Sequence, residues 1–191
     1  MIFLPFLIFV LGLLVGSFLN VVILRMNTGR SIASGRSACA RCNRVLTWYE
    51  LVPVFSFLAL RGKCRTCRLP ISFQYPIVEL ITAVLFIIFY IRMPLASSFS
   101  SYSWLAFLFS IVVAGLLLVA AVYDARHKIL PDIIIYPFLL FSLIAISVKA
   151  TLFPAFSEGR AIFDGVLVGL PFFLLWAFSK GRLMGFGDVK L

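Results

Sequence analysis

The sequence predicts an all-α polytopic membrane protein, with about five transmembrane helices and a small cytoplasmic zinc-ribbon-like loop. Three observations point there. Hydrophobic residues make up 63% of the 191 positions and mean hydropathy is +1.12, against roughly 45–50% apolar residues in soluble domains. Charge-free runs of membrane length recur along the chain. All four cysteines fall within one basic stretch, Cys39–Cys67. The net charge of +10 could suggest nucleic acid. In a membrane protein, however, Lys and Arg collect in cytoplasmic loops, and no nucleic-acid partner is expected.

Residues 3–24 carry no charge. A spanning helix needs about 20 apolar residues, so this is the first span. It does not read as a cleavable signal peptide, because no basic stretch precedes it and no small-residue cleavage site follows. Gly12 and Gly16 are four apart, which suits close packing against another helix. Asn20 is polar at membrane depth and should need a hydrogen-bond partner. Residues 25–75 then change character. Arg25, Arg30, Arg36, Arg41, Arg44, Arg61, Lys63, Arg65 and Arg68 face a single acid, Glu50. The positive-inside rule makes this loop cytoplasmic and puts the N-terminus outside.

The second span runs from Gln74 to Tyr90 and opens with Pro76 and Glu79. Proline is tolerated in a first helical turn, and an acid there is favoured by the helix dipole. Ser97–Ser103 reads as a short outer loop and Trp104–Tyr123 as the third span. Asp124–Asp132 reads as an inner loop with Arg126, His127 and Lys128. Ile133–Val148 is the fourth span, Lys149–Arg160 an outer loop, and Ala161–Ser179 the fifth span, with Asp164 near its outer end. This arrangement leaves only Arg92, Lys149 and Arg160 outside, of 17 basic residues. The reverse orientation inverts the ratio. No internal repeat or disordered linker is evident.

Cys39-Ala-Arg-Cys42 and Cys64-Arg-Thr-Cys67 form two Cys-x-x-Cys knuckles separated by 21 residues. Four thiolates from two such turns suit a closed, tetrahedral structural zinc site. A reducing compartment disfavours disulfides. A loop this short and basic has little core of its own, so the metal would supply folding energy.

The seven acids sort by position. Glu158 and Asp164 fall outside, and Glu50 lies in the zinc loop. Glu79, Asp124, Asp132 and Asp188 remain at the inner boundary. Asp132 follows Pro131 and reads as an N-cap of the fourth span, and Glu79 reads as a first-turn dipole partner. Asp124 has no such role, since it ends a span where the dipole disfavours negative charge. An ionisable group there is a functional candidate. Asp188 stands on the two-glycine turn Gly185-Phe186-Gly187. Two carboxyls sharing a site cannot both ionise, so one serves as base to a water and the other as acid to the carbonyl oxygen or leaving amine. His127, between Arg126 and Lys128, reads as a solvated loop residue. No Ser has a His partner at hand, and Gly181, Gly185 and Gly187 lack the pattern of a phosphate loop.

These residues resemble the bacterial type IV prepilin peptidases, polytopic aspartic proteases with a GxGD motif. The matching pieces are Gly16-Ser17-Phe18-Leu19-Asn20-Val21-Val22, the two knuckles, Trp48-Tyr49-Glu50-Leu51-Val52-Pro53 and Gln74-Tyr75-Pro76-Ile77-Val78-Glu79-Leu80. Asp124, Leu130-Pro131-Asp132 and Gly185-Phe186-Gly187-Asp188-Val189-Lys190 complete the set, in family order. The resemblance implies cleavage, after a glycine and on the cytoplasmic side, of the basic leader of pilin-like and type II secretion pseudopilin precursors. Asp124 and Asp188 would be the catalytic residues. It further implies N-methylation of the new N-terminus, often phenylalanine, with S-adenosylmethionine. It associates Cys39, Cys42, Cys64 and Cys67 with a zinc loop serving the methylating half. On this reading residues 1–24 are the first helix, 25–75 the zinc-binding loop domain and 76–191 the membrane peptidase domain. The family continues past the second aspartate with further helices. The chain here stops three residues after Asp188, and a missing helix would leave Asp188 on a frayed end.

The expected partners are therefore precursor substrates and membrane lipid. The basic loops would repel a basic leader unless Glu50, Glu79 or lipid headgroups intervene. A different class of function is a non-catalytic membrane adaptor whose zinc loop docks a secretion or pilus-assembly partner. The two separate cleanly: an enzyme loses function with Asp124 or Asp188, an adaptor with Cys39 or Cys64. A transporter would want acids at mid-span rather than at span ends.

Overall fold

Between Phe3 and Val22 the chain offers nothing that breaks a helix, since Pro5 falls within the first turn, where its missing N–H is not needed. The computed structural model describes residues 3–92, 101–128 and 131–152 and the single positions 159, 163, 166 and 170. Its long helices are α1 (Phe3–Arg25), α3 (Gln74–Arg92), α4 (Ser101–His127) and α5 (Asp132–Leu152), with a five-residue α2 (Phe55–Ala59) and a 3-10 turn (Trp48–Leu51) between α1 and α3. Among the described residues no strand forms, only two isolated bridges. Phe3–Arg25, Gln74–Arg92 and Phe107–His127 are long and apolar enough to cross a membrane, and Asp132–Ile144 is a shorter apolar helix. Apart from positions 163, 166 and 170, the expected fifth span, Ala161–Ser179, lies outside the described residues, as does Asp164.

The chain clusters into two units, Met1–Ser103 and Trp104–Leu191. In the first, α3 packs along α1. The buried stripe of α1 runs through Ile8, Gly12, Gly16, Asn20 and Ile23, near one residue per helical turn. The glycines set the spacing. A Cβ added at Gly12 would stand 2.6 Å from Ala83 Cα, and one at Gly16 would stand 2.7 Å from Glu79 Cα. The two backbones therefore meet as the small-xxx-small pattern predicts. Asn20, 1% exposed, finds the partners that its depth demands. Its amide donates to the carbonyls of Tyr75 (3.1 Å) and Gly16 (3.3 Å), and its oxygen accepts from Gln74 Nε2 (3.2 Å).

α3 starts where the Ser72 hydroxyl accepts the Gln74 N–H (3.2 Å), and Pro76 is its third residue. Glu79 therefore lies in the second turn, not the first, which corrects its reading as a first-turn dipole partner. It is 5% exposed and faces α1.

In the second unit, two boundaries move outward from those the apolar runs suggest. α4 begins at Ser101, so the outer loop expected to end at Ser103 is already helical from Ser101, and it ends at His127, so Asp124–His127 is helix rather than loop. Lys128, with φ +56, terminates it while its N–H reaches Asp124 O at 2.7 Å. Charge does not break a helix, and basic Arg126 suits a C-terminal turn. α5 likewise runs to Leu152, four residues beyond Val148 and through the first residues of the expected outer loop. Its first backbone bonds go to the Pro131 carbonyl, from Ile134 N (3.0 Å) and Ile135 N (3.4 Å). Pro131 thus occupies the cap position and Asp132 is the first helical residue, still at the end that favours an acid.

Candidate functional site

The loop between α1 and α3 is built from one small unit used twice. Ala38 bridges Val45 and Lys63 bridges Pro70. Within those bridges, Cys39 N–H donates to Arg44 O and Cys64 N–H to Leu69 O, both at 2.9 Å. The residue after each second cysteine, Asn43 (φ +54) and Arg68 (φ +56), takes a left-handed turn. Asn43 N–H then returns to Cys39 O and Arg68 N–H to Cys64 O. The chain therefore does contain a local repeat, visible in backbone geometry but in little of the sequence besides the cysteines.

The two turns bring Cys39, Cys42, Cys64 and Cys67 together, with all four Sγ atoms within 4.8 Å of one another. Cys39 Sγ and Cys67 Sγ are 3.9 Å apart, and all four cysteines are free. Four sulfurs at about 2.3 Å from a tetrahedral zinc would lie about 3.8 Å apart, whereas a disulfide needs about 2.05 Å. The donor set fits a four-coordinate soft metal ion.

The backbone amides favour thiolates here. The N–H groups of Cys67 and Thr66 draw the Cys64 thiol down to about 6. Those of Cys42 and Arg41 lower Cys39. At Cys67 the Leu69 N–H acts in the same sense, but burial and the neighbouring thiols outweigh it and push the group up to about 11. Four adjacent sulfurs cannot all carry charge unless a cation sits among them.

Below the knuckles, Glu50 is 8% exposed. It accepts hydrogen bonds from the Thr47 N–H (2.9 Å), the Thr47 hydroxyl (2.7 Å) and the Arg44 guanidinium. Thr47-x-x-Glu50 is a capping-box pattern, a signal present in the sequence and overlooked. The Thr47 backbone N–H is foremost in holding the Glu50 carboxyl below its ordinary value, with the Thr47 hydroxyl and Arg44 adding to it. A lowered folded value means the stabilisation is complete above the unfolded value of about 4.5 and is lost as pH falls through the lower folded value. Acid titration of loop stability should therefore differ between the wild type and Glu50→Gln, with the difference shrinking below about pH 4.5; hydrogen exchange of the loop amides measures it.

Glu79 is the residue that sequence reasoning undervalued. Its Oε2 accepts the Val54 N–H at 2.7 Å, across 25 positions of chain. Val54 has φ +60, a conformation that costs a β-branched residue about 1–3 kcal/mol and persists only when held. The carboxylate of α3 thus pins the start of α2 to the membrane helices. No period in the sequence encodes such a contact.

Asp124 is half-buried in the last turn of α4, next to buried Tyr123. His127 is exposed but helical, rather than in a loop. Its ring stacks on Tyr123 with centroids 4.2 Å apart, and Nδ1 lies 3.1 Å from Tyr123 O. Asp188 and its glycine turn lie outside the described residues.

Comparison with known proteins divides the chain similarly. Residues 10–93 match the bacterial peptidase A24 N-terminal domain, and residues 111–191 match the type IV leader peptidase family. The chain's relatives include proteins named prepilin leader peptidase/N-methyltransferase. One from Myxococcus xanthus is 39% identical over 96% of this chain and 52% of its own length. One from Bacillus subtilis is 34% identical over 96% and 69%, and one from Klebsiella pneumoniae 31% over 96% and 80%. The chain thus spans about half the length of the Myxococcus relative. No solved structure matches it.

Proposed function

Because this chain belongs to the type IV leader peptidase family, we propose that it cleaves the basic leader from type IV prepilin and type II secretion pseudopilin precursors, with Asp124 and Asp188 as the catalytic pair. The observation that carries this is the place of Asp124. It is a half-buried carboxylate on the final turn of a membrane-length helix, inside the stretch matched to the leader peptidases.

α4 has 27 residues, about 40 Å of helix, against a hydrocarbon core of about 30 Å. Its last turn therefore falls near a membrane boundary. A precursor whose apolar helix lies in the bilayer presents its scissile bond at the same depth. One carboxyl activates a water and the other protonates the carbonyl oxygen or the departing amine. The orientation is N-terminus outside, with the zinc loop and both aspartates on the cytoplasmic side of the inner membrane, as the positive-inside rule requires.

Cys39, Cys42, Cys64 and Cys67 would hold zinc as a structural cross-link between the knuckles. Residues 25–75 act as a zinc-binding loop domain and 76–191 as the peptidase. N-methylation of the new N-terminus with S-adenosylmethionine is the second proposed activity, with no residue assigned to it.

The test uses the full chain in liposomes with a precursor that carries a basic leader and a Gly-Phe junction. N-terminal sequencing should find a product beginning at the phenylalanine. A precursor that stays intact would overturn cleavage by this 191-residue chain.

A further inference from the structure

The loop between α1 and α3 is two-faced along its length. From Asn27 to Arg44 its exposed residues are mostly polar or basic. From Trp48 onward large apolar side chains come to the surface: Trp48 is 79% exposed, Phe73 71%, Phe55 66% and Leu58 64%. α1 supplies the scale for comparison, since Leu14 and Phe18 are each 53% exposed on a helix that faces lipid. Phe55 and Leu58 lie three apart on α2, so they share a face. Phe73 meets Phe57 with ring centroids 5.2 Å apart, which joins the end of the loop to α2.

The depth of this patch is set by one contact. Glu79 holds the Val54 N–H at 2.7 Å, and Glu79 is five residues into α3, about 7.5 Å along its axis. α2 therefore begins at the level of the second turn of a spanning helix, not above the membrane. Basic side chains accompany it: Arg61, Lys63, Arg65 and Arg68 are all exposed. The acids nearest in sequence are already engaged, Glu50 by Arg44 and Thr47 and Glu79 by Val54. An apolar patch at interfacial depth, on a loop whose exposed Arg61, Lys63, Arg65 and Arg68 form no ion pair among the described residues, is complementary to an anionic lipid leaflet.

We propose that the segment from Trp48 to Leu58, with Phe73, is a membrane-seated surface that inserts its apolar side chains among the acyl chains of an anionic leaflet while the neighbouring Arg and Lys residues take the headgroups. The inference requires only that α1 and α3 span the bilayer, and it stands or falls separately from peptidase activity.

Trp48 is the reporter. The full chain is placed in nanodiscs of phosphatidylcholine and phosphatidylglycerol, with acyl chains brominated near the headgroup in a second set. The wild-type emission minus that of Trp48→Phe isolates Trp48 from Trp104 and Trp176. A single-tryptophan chain, Trp104→Phe with Trp176→Phe, reads it directly if Trp48→Phe perturbs the fold. The expected result is loss of Trp48 emission in brominated discs, with little loss to acrylamide. Quenching by acrylamide alone would put the side chain in water and overturn the proposal. Resistance to both quenchers would mean that protein covers it, and would overturn it as well. Replacing phosphatidylglycerol with phosphatidylcholine should weaken the bromolipid quenching; quenching indifferent to lipid charge would refute the headgroup contacts.

Discussion

Replacing either Asp124 or Asp188 with asparagine is expected to abolish leader cleavage, a loss of about 10²-fold or more, while insertion and metal content stay as in the wild type. Asparagine keeps the size and hydrogen-bonding shape of the side chain but can neither take a proton from water nor give one to a leaving amine. Asp124 sits where a helix is least hospitable to a negative charge, the last turn of α4, so its removal should leave the helix no less stable. A cleavage assay in liposomes, run beside a protease-protection check of insertion, measures both halves. Retained cleavage in either variant would remove that residue from the mechanism.

Losing the metal should be the larger structural event. Cys64→Ser, or a strong chelator, is expected to unfold the loop between α1 and α3 while leaving α1 packed on α3. From residue 27 to residue 73 the only buried positions are Glu50, Pro53 and Cys64, so the loop has almost no apolar core. Apparent binding free energies of about 10–16 kcal/mol for structural zinc in small peptides far exceed what three buried side chains supply. Zinc analysis of the purified chain should find one ion per chain, and hydrogen exchange should show the loop amides losing protection on chelation. Gly12 and Gly16 meet α3 alone, and Asn20 bonds Gln74 and Tyr75 in its first turn, so these contacts should persist. A loop that stays protected without metal would contradict this account. Cysteine loss that ends function while Asp124→Asn and Asp188→Asn stay silent would favour the adaptor.

Much of this was legible in the residues. Apolar runs located α1, α3, α4 and α5 because a membrane helix must satisfy its own backbone. The Gly12–Gly16 spacing foretold a close helix contact, and Asn20 foretold a polar partner without saying which. The cysteine spacing foretold one four-sulfur cluster, since only paired tight turns bring such donors together. Helix ends were less legible. Asp124-Ala-Arg-His is charged enough to look like loop yet continues a helix, because hydropathy reports the bilayer edge rather than the last hydrogen bond. Glu79 was misjudged for a different reason. Its role comes from Val54, 25 positions away, and tertiary contacts of that kind leave no periodic trace. Asp188 was read from its motif alone, and its relation to Asp124 rests on the proposed mechanism.

The central claim is that Asp124 and Asp188 act as one unit, and a mutant cycle tests it most directly. Cleavage by Asp124→Asn, Asp188→Asn and the double variant would be compared with the wild type in the same liposomes. Residues that share a catalytic step are non-additive, so the double variant is expected to be no slower than the slower single variant. Losses that multiply, or a single variant that still cleaves at the wild-type rate, would contradict it.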